Sequence, residues 1–431
     1  MKILLIGAGG RECSLAWKIS ASQILEKLYV WPGNPMSKEF GEVVQLDEAE
    51  TYDDLIKWAQ TNAIDAVVCG PEQPLTEGLA DQFEAQNIPV FGPKKEVAKL
   101  EGSKAFAKMV MAEAGIPTAE YKVVNSREDC KNVALSMLRK SGGTVIKASG
   151  LAGGKGVFVC RSTEDIESGL ERLFSKMTLA SETIVVEEIL EGRECSFFTF
   201  LGDSGDAPLG FAVDFKRLLD GDEGPNTGGM GCYTPVEWLP ENAEDEVNKK
   251  IIWPLLAALK KRNLDYRGCL YVGIMWGESG PKVVEFNVRL GDPECQVLAV
   301  ADGRDWLSLI AECLGLKEVS SQSRNFKSSV CVVMASSTYP YGDGQDENAI
   351  FEHDLLQPAD CKVFGASIEA HEGRIKTGGG RVFSVVASAS SLLEARDRAY
   401  AHVHRLKEHW PACHVRSDIA KLAIDELSVN Q

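Results

Sequence analysis

The sequence has no C-x-x-C pair and no Cys/His cluster at ligand spacing, which argues against a structural zinc site and a paired-cysteine framework. Its 12 cysteines stand singly, as Cys69, Cys130, Cys269 and Cys331 do, mostly inside apolar runs. They read as reduced, buried thiols, and the chain as cytoplasmic. The opening apolar run, Met1 to Ile6, ends at Gly7 and is too short for a secretory signal or a membrane span. Positive charge is in deficit: 46 Lys and Arg against 63 Asp and Glu leave a formal net charge of -17. That excludes a broad nucleic-acid or anionic-membrane surface, so any bound anion must be held by locally placed Lys, Arg and backbone N–H groups. No internal repeat and no low-complexity tract is present, and there is no Ser/His/Asp or Cys/His arrangement for nucleophilic catalysis.

What is present is an ordinary globular composition, 44% hydrophobic and 25% charged, in 431 residues. That length allows roughly two to four domains. The first hundred residues alternate short β-type runs (Ile3 to Ile6, Lys27 to Val30, Ala66 to Cys69, Pro89 to Phe91) with helical stretches. One helix, near Asp53 to Gln60, opens on a capping box from Thr51 to Asp54. The alternation predicts a parallel sheet covered by helices, with ligands at the carboxyl ends of its strands. The middle predicts an α+β region of directly paired strands: Thr144 to Ala148 with Gly156 to Cys160, and Thr183 to Glu188 with Glu194 to Leu201. A third region begins near Lys327, with strands Ser329 to Ala335 and Arg381 to Ala387. Its helix from Leu392 to Trp410 carries one apolar face. The Asp343 to Asn348 stretch is an expected exposed loop.

Three glycine-rich loops carry the chemistry. Gly7-Ala8-Gly9-Gly10-Arg11-Glu12 follows the first strand and opens a helix. It fails as a dinucleotide fingerprint, because Glu12 stands where the third glycine belongs. Either it offers N–H groups to a phosphate or it is a purely structural turn. Ser149 to Gly156 fails as a P-loop at both ends, since Ser149 replaces the first glycine and Gly156 follows Lys155. Its flanks read as two strands, so a Gly-rich hairpin carrying Lys155 as a lid over polyphosphate competes with a bland flexible hairpin. In Pro225 to Gly231, three glycines in four residues suit close backbone approach to a ligand. Farther on, Val283 to Arg289 reads as a strand with Glu285, Asn287 and Arg289 on one face. A carboxylate and an amide oxygen suit a hard cation such as Mg²⁺, and an arginine beside them suits a phosphate or carboxylate. A sheet with one solvated polar face is the competing reading.

In this order the motifs resemble the phosphoribosylamine–glycine ligase (glycinamide ribonucleotide synthetase) family of ATP-grasp proteins. The likeness spans essentially the whole chain, from the Gly7 turn through Pro32-Gly33-Asn34, Gly70-Pro71-Glu72, Glu101 to Lys104, Val145 to Lys147, Gly150 to Gly156, Val186 to Glu188, Gly224 to Gly231, Glu285 to Glu294 and Thr377 to Val382 to Arg416 to Ile419. It implies a mixed α/β and α+β multidomain fold: a Rossmann-like pre-ATP-grasp domain (1–102), an ATP-grasp domain (103–326, with a lid at about 117–190) and a C-terminal α+β domain (327–431). It further implies ATP and Mg²⁺, with Mn²⁺ able to replace it, and the small-molecule substrates glycine and 5-phosphoribosylamine, joined through an acyl phosphate in a monomer or small homo-oligomer.

By resemblance, Lys104, Lys147, Gly150, Gly153, Gly154, Gly156, Glu187, Glu188 and Glu194 would hold the nucleotide, and Glu285 and Asn287 the metal. Asp214, Lys216, Arg289 and Lys155 would be catalytic. Gly9, Gly10, Arg11, Glu12, Asn34, Glu72, Asn226, Thr227, Gly228, Gly229, Asp292 and Glu294 would line the substrate pockets. Three positions depart from the family pattern: Cys13 for His, Ser149 for Asp, and Phe215 for His or Tyr. They leave two alternatives open, a ligase for another amino acid or amine and a non-catalytic nucleotide-binding homologue.

Overall fold

The computed structural model describes residues 1–46, 52–150, 156–176, 183–203, 205–317, 322–342 and 348–429. The first strands form a parallel sheet of order β3-β2-β1-β4-β5: β1 (Lys2–Gly7), β2 (Lys27–Pro32), β3 (Glu42–Val43), β4 (Ala66–Cys69) and β5 (Val90–Phe91). Strand periodicity divides β1 between two cores. Ile3 and Leu5 pack with the helix Gly10–Ser20, while Leu4 and Ile6 pack with Leu55 and Phe83 on the other face. Burial on both faces explains why the strand reads as an unbroken apolar run. The carboxyl ends of β1 and β4 run into Gly7 and Gly70.

Four antiparallel strands form a separate small sheet of order β6-β9-β7-β8: β6 (Tyr121–Val124), β7 (Thr144–Ala148), β8 (Val157–Cys160) and β9 (Ile184–Glu188). The helices Arg127–Ser141 and Thr163–Lys176 cover it with a core of its own, including Cys130, Ile146, Leu170 and Ile184. β7 and β8 pair as the sequence predicts, Lys147 opposite Val157. The second predicted pair does not form. β9 pairs with β6 and β7, whereas the chain after Glu188 leaves for the next sheet, where β10 pairs with β11 and β15. The two runs are adjacent in sequence, but their apolar residues belong to different cores.

That next sheet has eight strands in the order β16-β15-β10-β11-β14-β17-β22-β19. They are β10 (Arg193–Gly202), β11 (Gly205–Asp214), β14 (Gly231–Thr234), β15 (Gly268–Gly277), β16 (Gly280–Asn287), β17 (Ser328–Ala335), β19 (Lys362–Gly365) and β22 (Arg381–Ala389). β12 (Arg217–Leu219) and β13 (Glu223–Asn226) make a side hairpin, and β18 (Ile350–Phe351), β20 (Ile368–His371) and β21 (Arg374–Thr377) a three-stranded sheet. The β14–β17 pairing, Gly231 opposite Val332, makes the C-terminal strands a continuation of the central sheet. The last long helix, Leu392–His409, is capped by the Ser391 hydroxyl and buries Leu392, Ala395, Ala399, Val403 and Leu406, the predicted apolar face.

All 12 cysteines are free and buried, as their apolar settings predict. Among the described residues no helix is long and apolar enough to cross a membrane. Thr51, the first residue of the predicted capping box, lies outside the described residues, as do 343–347 of the expected loop.

Candidate active site

The carboxyl ends of β1 and β4, the turn after β16 and the loop before β14 converge. At the first turn, Gly9 N–H donates to Glu12 Oε2 (2.8 Å). A Cβ on Gly7 or Gly70 would come within 2.3 Å of the Glu12 side chain, so the glycines leave room for that carboxylate. The anion meeting this helix N-terminus is thus the helix's own Glu12. Arg11 Nε donates to Glu12 Oε1 (2.5 Å), and its NH1 donates to Leu290 O (3.1 Å). Glu72 Oε2 lies 3.8 Å from Arg11 and 3.1 Å from Arg289 Nε. Arg289 NH2 lies 2.8 Å from Glu101 Oε1, and Glu101 Oε2 accepts from Val288 N–H (2.8 Å). Burial raises the Glu72 carboxyl, but Arg289 and Arg11 outweigh it and hold it below its ordinary range.

The same network continues into the C-terminal strands. Arg381, at the start of β22, donates through NH1 to Gly228 O and Asp292 O (both 2.5 Å) and lies 3.1 Å from Asp292 Oδ2. Asp292 Oδ1 accepts from Gln296 (2.7 Å). Burial raises Asp292, yet Arg381 and Arg11 bring its carboxyl below the usual value. Thr227 folds its loop inward, its hydroxyl donating to Lys216 O (2.9 Å) and accepting from Gly229 N–H (3.0 Å). Gly229 has φ +113, and a Cβ there would sit 2.6 Å from Pro293 Cδ and 2.7 Å from Asp214 Oδ1. This loop needs glycine at that position.

Charge balance differs at the next step along the cleft. Asp214 ends β11 with its Oδ1 buried and without a hydrogen-bond partner among the described residues. Burial and the neighbouring Glu294 carboxylate push Asp214 well above the usual range, and Glu294 is raised too, first by burial. Lys216, ion-paired with Glu194, is raised: burial alone would lower it, but Glu194, Tyr271 and Asp214 prevail. Glu285 is half-buried near Lys216, Lys104, Lys147 and Arg289; burial raises it and those four cations bring it below its ordinary value. Lys147 Nζ donates to Glu187 Oε2 (2.9 Å) and Val284 O (3.3 Å). Lys104 begins the helix Lys104–Ala114, whose first turn is capped by Ser103 and Ser149; Ala105 N–H donates to Ser149 Oγ (3.1 Å).

Glu285 and Asn287 share one face of β16. The Asn287 amide satisfies Glu101 when its NH₂ points at Oε1 (3.1 Å), which turns Oδ1 away from that carboxylate. Among the described residues no group of three or more His, Cys, Asp and Glu could hold a metal ion. Two half-buried oxygen-bearing side chains, one of them a carboxylate held below its ordinary value, still fit Mg²⁺, which keeps water and phosphate oxygens for the rest of its shell. Arg289 lies beyond the end of β16, and its guanidinium turns to Glu72 and Glu101. The strand-face reading therefore holds for Glu285 and Asn287 but not for Arg289.

Several other expected residues are placed differently from one another. Asn34 is buried and internally satisfied: Nδ2 donates to Ala8 O (2.8 Å) and Gly365 O (2.9 Å), and Oδ1 accepts from Met36 N and Ser37 N (both 3.0 Å). Glu187 is buried between two lysines, while Glu188 accepts from Glu120 N–H (3.0 Å). Asn226 pairs with Arg217 across the β12–β13 hairpin and is exposed. A Cβ on Gly10 would meet Gln296 Nε2 at 2.9 Å, and one on Gly150 would meet no atom of the described residues within 4 Å. Gly156 O accepts from Ala148 N–H (2.9 Å), but Gly153, Gly154 and Lys155 lie outside the described residues.

The three departures also have places. Cys13 is wholly buried in the helix Gly10–Ser20, and burial pushes its thiol up to about 12. Phe215 alternates away from Asp214 and Lys216 and packs under the Arg416 guanidinium, 4.8 Å from its ring centre. Glu101, Lys108 and Arg381 were not singled out from the sequence as site residues. Glu101 and Arg381 lie inside runs that carry the resemblance, while Lys108 sits in the buried stripe Ala107, Lys108, Val110 and Met111, where a lysine is out of character.

Family models match three consecutive segments: phosphoribosylglycinamide synthetase N domain at 1–101, its ATP-grasp (A) domain at 102–295 and its C domain at 329–422. A phosphoribosylamine–glycine ligase of Rhizobium meliloti (strain 1021) is 40% identical over 427 residues, 98% of this chain and 99% of the relative. Another, of Escherichia coli O6:H1, is 38% identical over 432 residues, 99% of each. The crystal structure of a phosphoribosylamine–glycine ligase from Thermotoga maritima superposes with TM-score 0.81 at 30% identity, covering 97% of this chain and 100% of that one. A Campylobacter jejuni biotin carboxylase at 16% identity and TM-score 0.70, covering 96% of this chain and 91% of that one, shares the fold alone.

Proposed function

We propose, from the premise that this chain belongs to the phosphoribosylglycinamide synthetase family, that it is an ATP-dependent carbon–nitrogen ligase joining glycine to 5-phosphoribosylamine in purine biosynthesis. The observation that carries the reading is the half-buried Glu285 carboxylate, held below its ordinary value by Lys216, Lys104, Lys147 and Arg289. Cations clustered around one carboxylate suit an anionic ligand and its metal. A polyphosphate chain with Mg²⁺ meets both the cations and the carboxylate. Neither alternative drawn from the three departures is favoured by the relatives.

Phosphoryl transfer needs positioning and charge neutralisation more than a protein nucleophile. Lys104 and Lys147 would meet the nucleotide phosphates, and Glu285 with Asn287 would hold Mg²⁺, which supplies charge neutralisation at the phosphate oxygens. The segment around Gly150 to Gly156, with Lys155, would close over them and keep water from an acyl phosphate. Glu187, Glu188 and Glu194 would flank the nucleotide. The Arg289 guanidinium and Lys216 would face the glycine carboxylate, and the Asp214–Glu294 pair its ammonium group. The turn carrying Gly9 to Glu12, with Asn34, Glu72, Asp292 and the 226–229 loop, would shape the phosphoribosyl side. The domain division 1–102, 103–326 and 327–431 belongs to the same proposal, as do a cytoplasmic location and a monomer or small homo-oligomer.

The test is ADP release with ATP and Mg²⁺, with glycine and freshly made phosphoribosylamine supplied together and each omitted in turn. ADP formation that requires both is expected. Turnover with neither, or with another amino acid in preference to glycine, would overturn the reading.

A further inference from the structure

Lys108 lies on the buried face of the helix Lys104–Ala114, with its side chain 2% exposed. Its ammonium is 3.1 Å from Glu187 Oε1 and donates to Thr118 Oγ1 (2.7 Å), whose hydroxyl donates in turn to Val283 O (2.6 Å). The other Glu187 oxygen takes Lys147 at 2.9 Å. One buried carboxylate therefore serves two buried ammonium groups, and the triad is left one positive charge in excess. A buried charge needs a partner. Lys147 reaches Val284 O and Glu187, which uses two of its three donors. Lys108, boxed in by Thr118, Glu187 and the Tyr121 ring 5.6 Å away, has no such opening.

We propose that Lys108 is a positioning residue: by sharing the Glu187 carboxylate it keeps Lys147 from being fully neutralised, so that Lys147 stays free to meet the phosphates of a nucleotide. The inference rests on the nucleotide reading given above. Without Lys108, both Glu187 oxygens are left to Lys147 alone. A charge-assisted contact in a low-dielectric setting is strong, and the phosphate would have to compete with it. With Lys108 present the carboxylate is divided, and the excess charge is expressed at the one ammonium that has a donor to spare.

The groups facing Lys108 are Glu187 and Glu188 on β9, Lys147 on β7 and the Tyr121 ring on β6. Burial lowers its ammonium, Glu187 and Glu188 raise it, Lys147 lowers it, and the outcome is about 8. The device is therefore charged at neutral pH and discharges in mildly alkaline solution.

The experiment compares wild type, K108M, E187Q and the double variant in the ADP-release assay, with Mg-ATP affinity measured by titration calorimetry on the same proteins. We expect K108M to raise KM for ATP about tenfold, leave KM for glycine unchanged and melt no earlier than wild type. The double variant should match E187Q, because Lys108 acts only through that carboxylate. Wild-type KM for ATP should climb above pH 8, the K108M value staying flat. An ATP KM within about twofold of wild type, or ATP and glycine KM values rising together, overturns the inference. If K108M does not fold, T118V gives the same decision: a smaller rise in ATP KM supports it, an unchanged one overturns it. Wild-type protein that binds Mg-ATP but performs no ligation sinks the functional reading alone, and calorimetry then decides on Lys108. Protein that binds no Mg-ATP at all overturns both.

Discussion

The two halves of the cleft handle charge in opposite ways. On the side of the β1 and β4 turns, each of Glu12, Glu72, Glu101 and Asp292 has an arginine partner among Arg11, Arg289 and Arg381. On the side of the small sheet the balance is broken, since Lys108 and Lys147 share one carboxylate; at the end of β11, Asp214 keeps a buried oxygen with no hydrogen-bond partner among the described residues. Matched charges fix the shape of a pocket before anything enters it. Unmatched ones hold back interactions for a ligand, at a cost to the empty protein.

The largest effect should come from breaking the matched half. R289M leaves Glu72 and Glu101 without their main cation, and we expect kcat/KM to fall about a thousandfold or more, with a melting midpoint several degrees lower. A midpoint equal to wild type would mean that the network does not hold the turns together. G229A tests the boundary between the halves, since its Cβ meets Pro293 and Asp214 at a backbone conformation that only glycine adopts freely. There we expect a roughly hundredfold loss of kcat/KM in a protein that still folds, measured by steady-state kinetics and circular dichroism. Near-normal activity would show that the loop has room to shift.

The smallest effect is also the sharpest in sign. Asp292 is held below its ordinary value, so its contribution to stability is present above the unfolded pKa and disappears as pH falls through the folded one. Asp214 is raised, so it weakens the fold at neutral pH, and that penalty fades as pH drops through its raised value. D292N should lower the melting midpoint at pH 7.5 and D214N raise it, each by roughly a degree or two; the D214N gain should fade as pH falls toward the ordinary carboxylate range, and the D292N loss only below that range. Shifts of the same sign would dissolve the comparison.

Much of the frame was legible in the sequence, for reasons that can be named. β1 and β4 are short apolar runs ending in glycine turns, and β17, β22 and the helix Leu392–His409 follow their periodicities. Glu285 and Asn287 were placed correctly because alternation along a strand is a local rule. Arg289 was not, because its orientation is set by Glu101 and Glu72, each more than 180 residues away in sequence. Asn34 reads as a polar loop residue, yet two chain segments converge on its amide. Lys108 stands out only as a lysine within an apolar helix stripe; its meaning depends on Glu187 arriving from β9 of the small sheet.

The pairing of Gly231 to Thr234 with Ser329 to Val332 has a further consequence. A protein cut near residue 327 would not yield two self-sufficient modules. It would expose β14 and β17 as raw edges, each a template for the other and for any stray strand. The fragment ending there should clump when expressed alone and become soluble when the remainder is co-expressed, the two halves zipping together along a single seam.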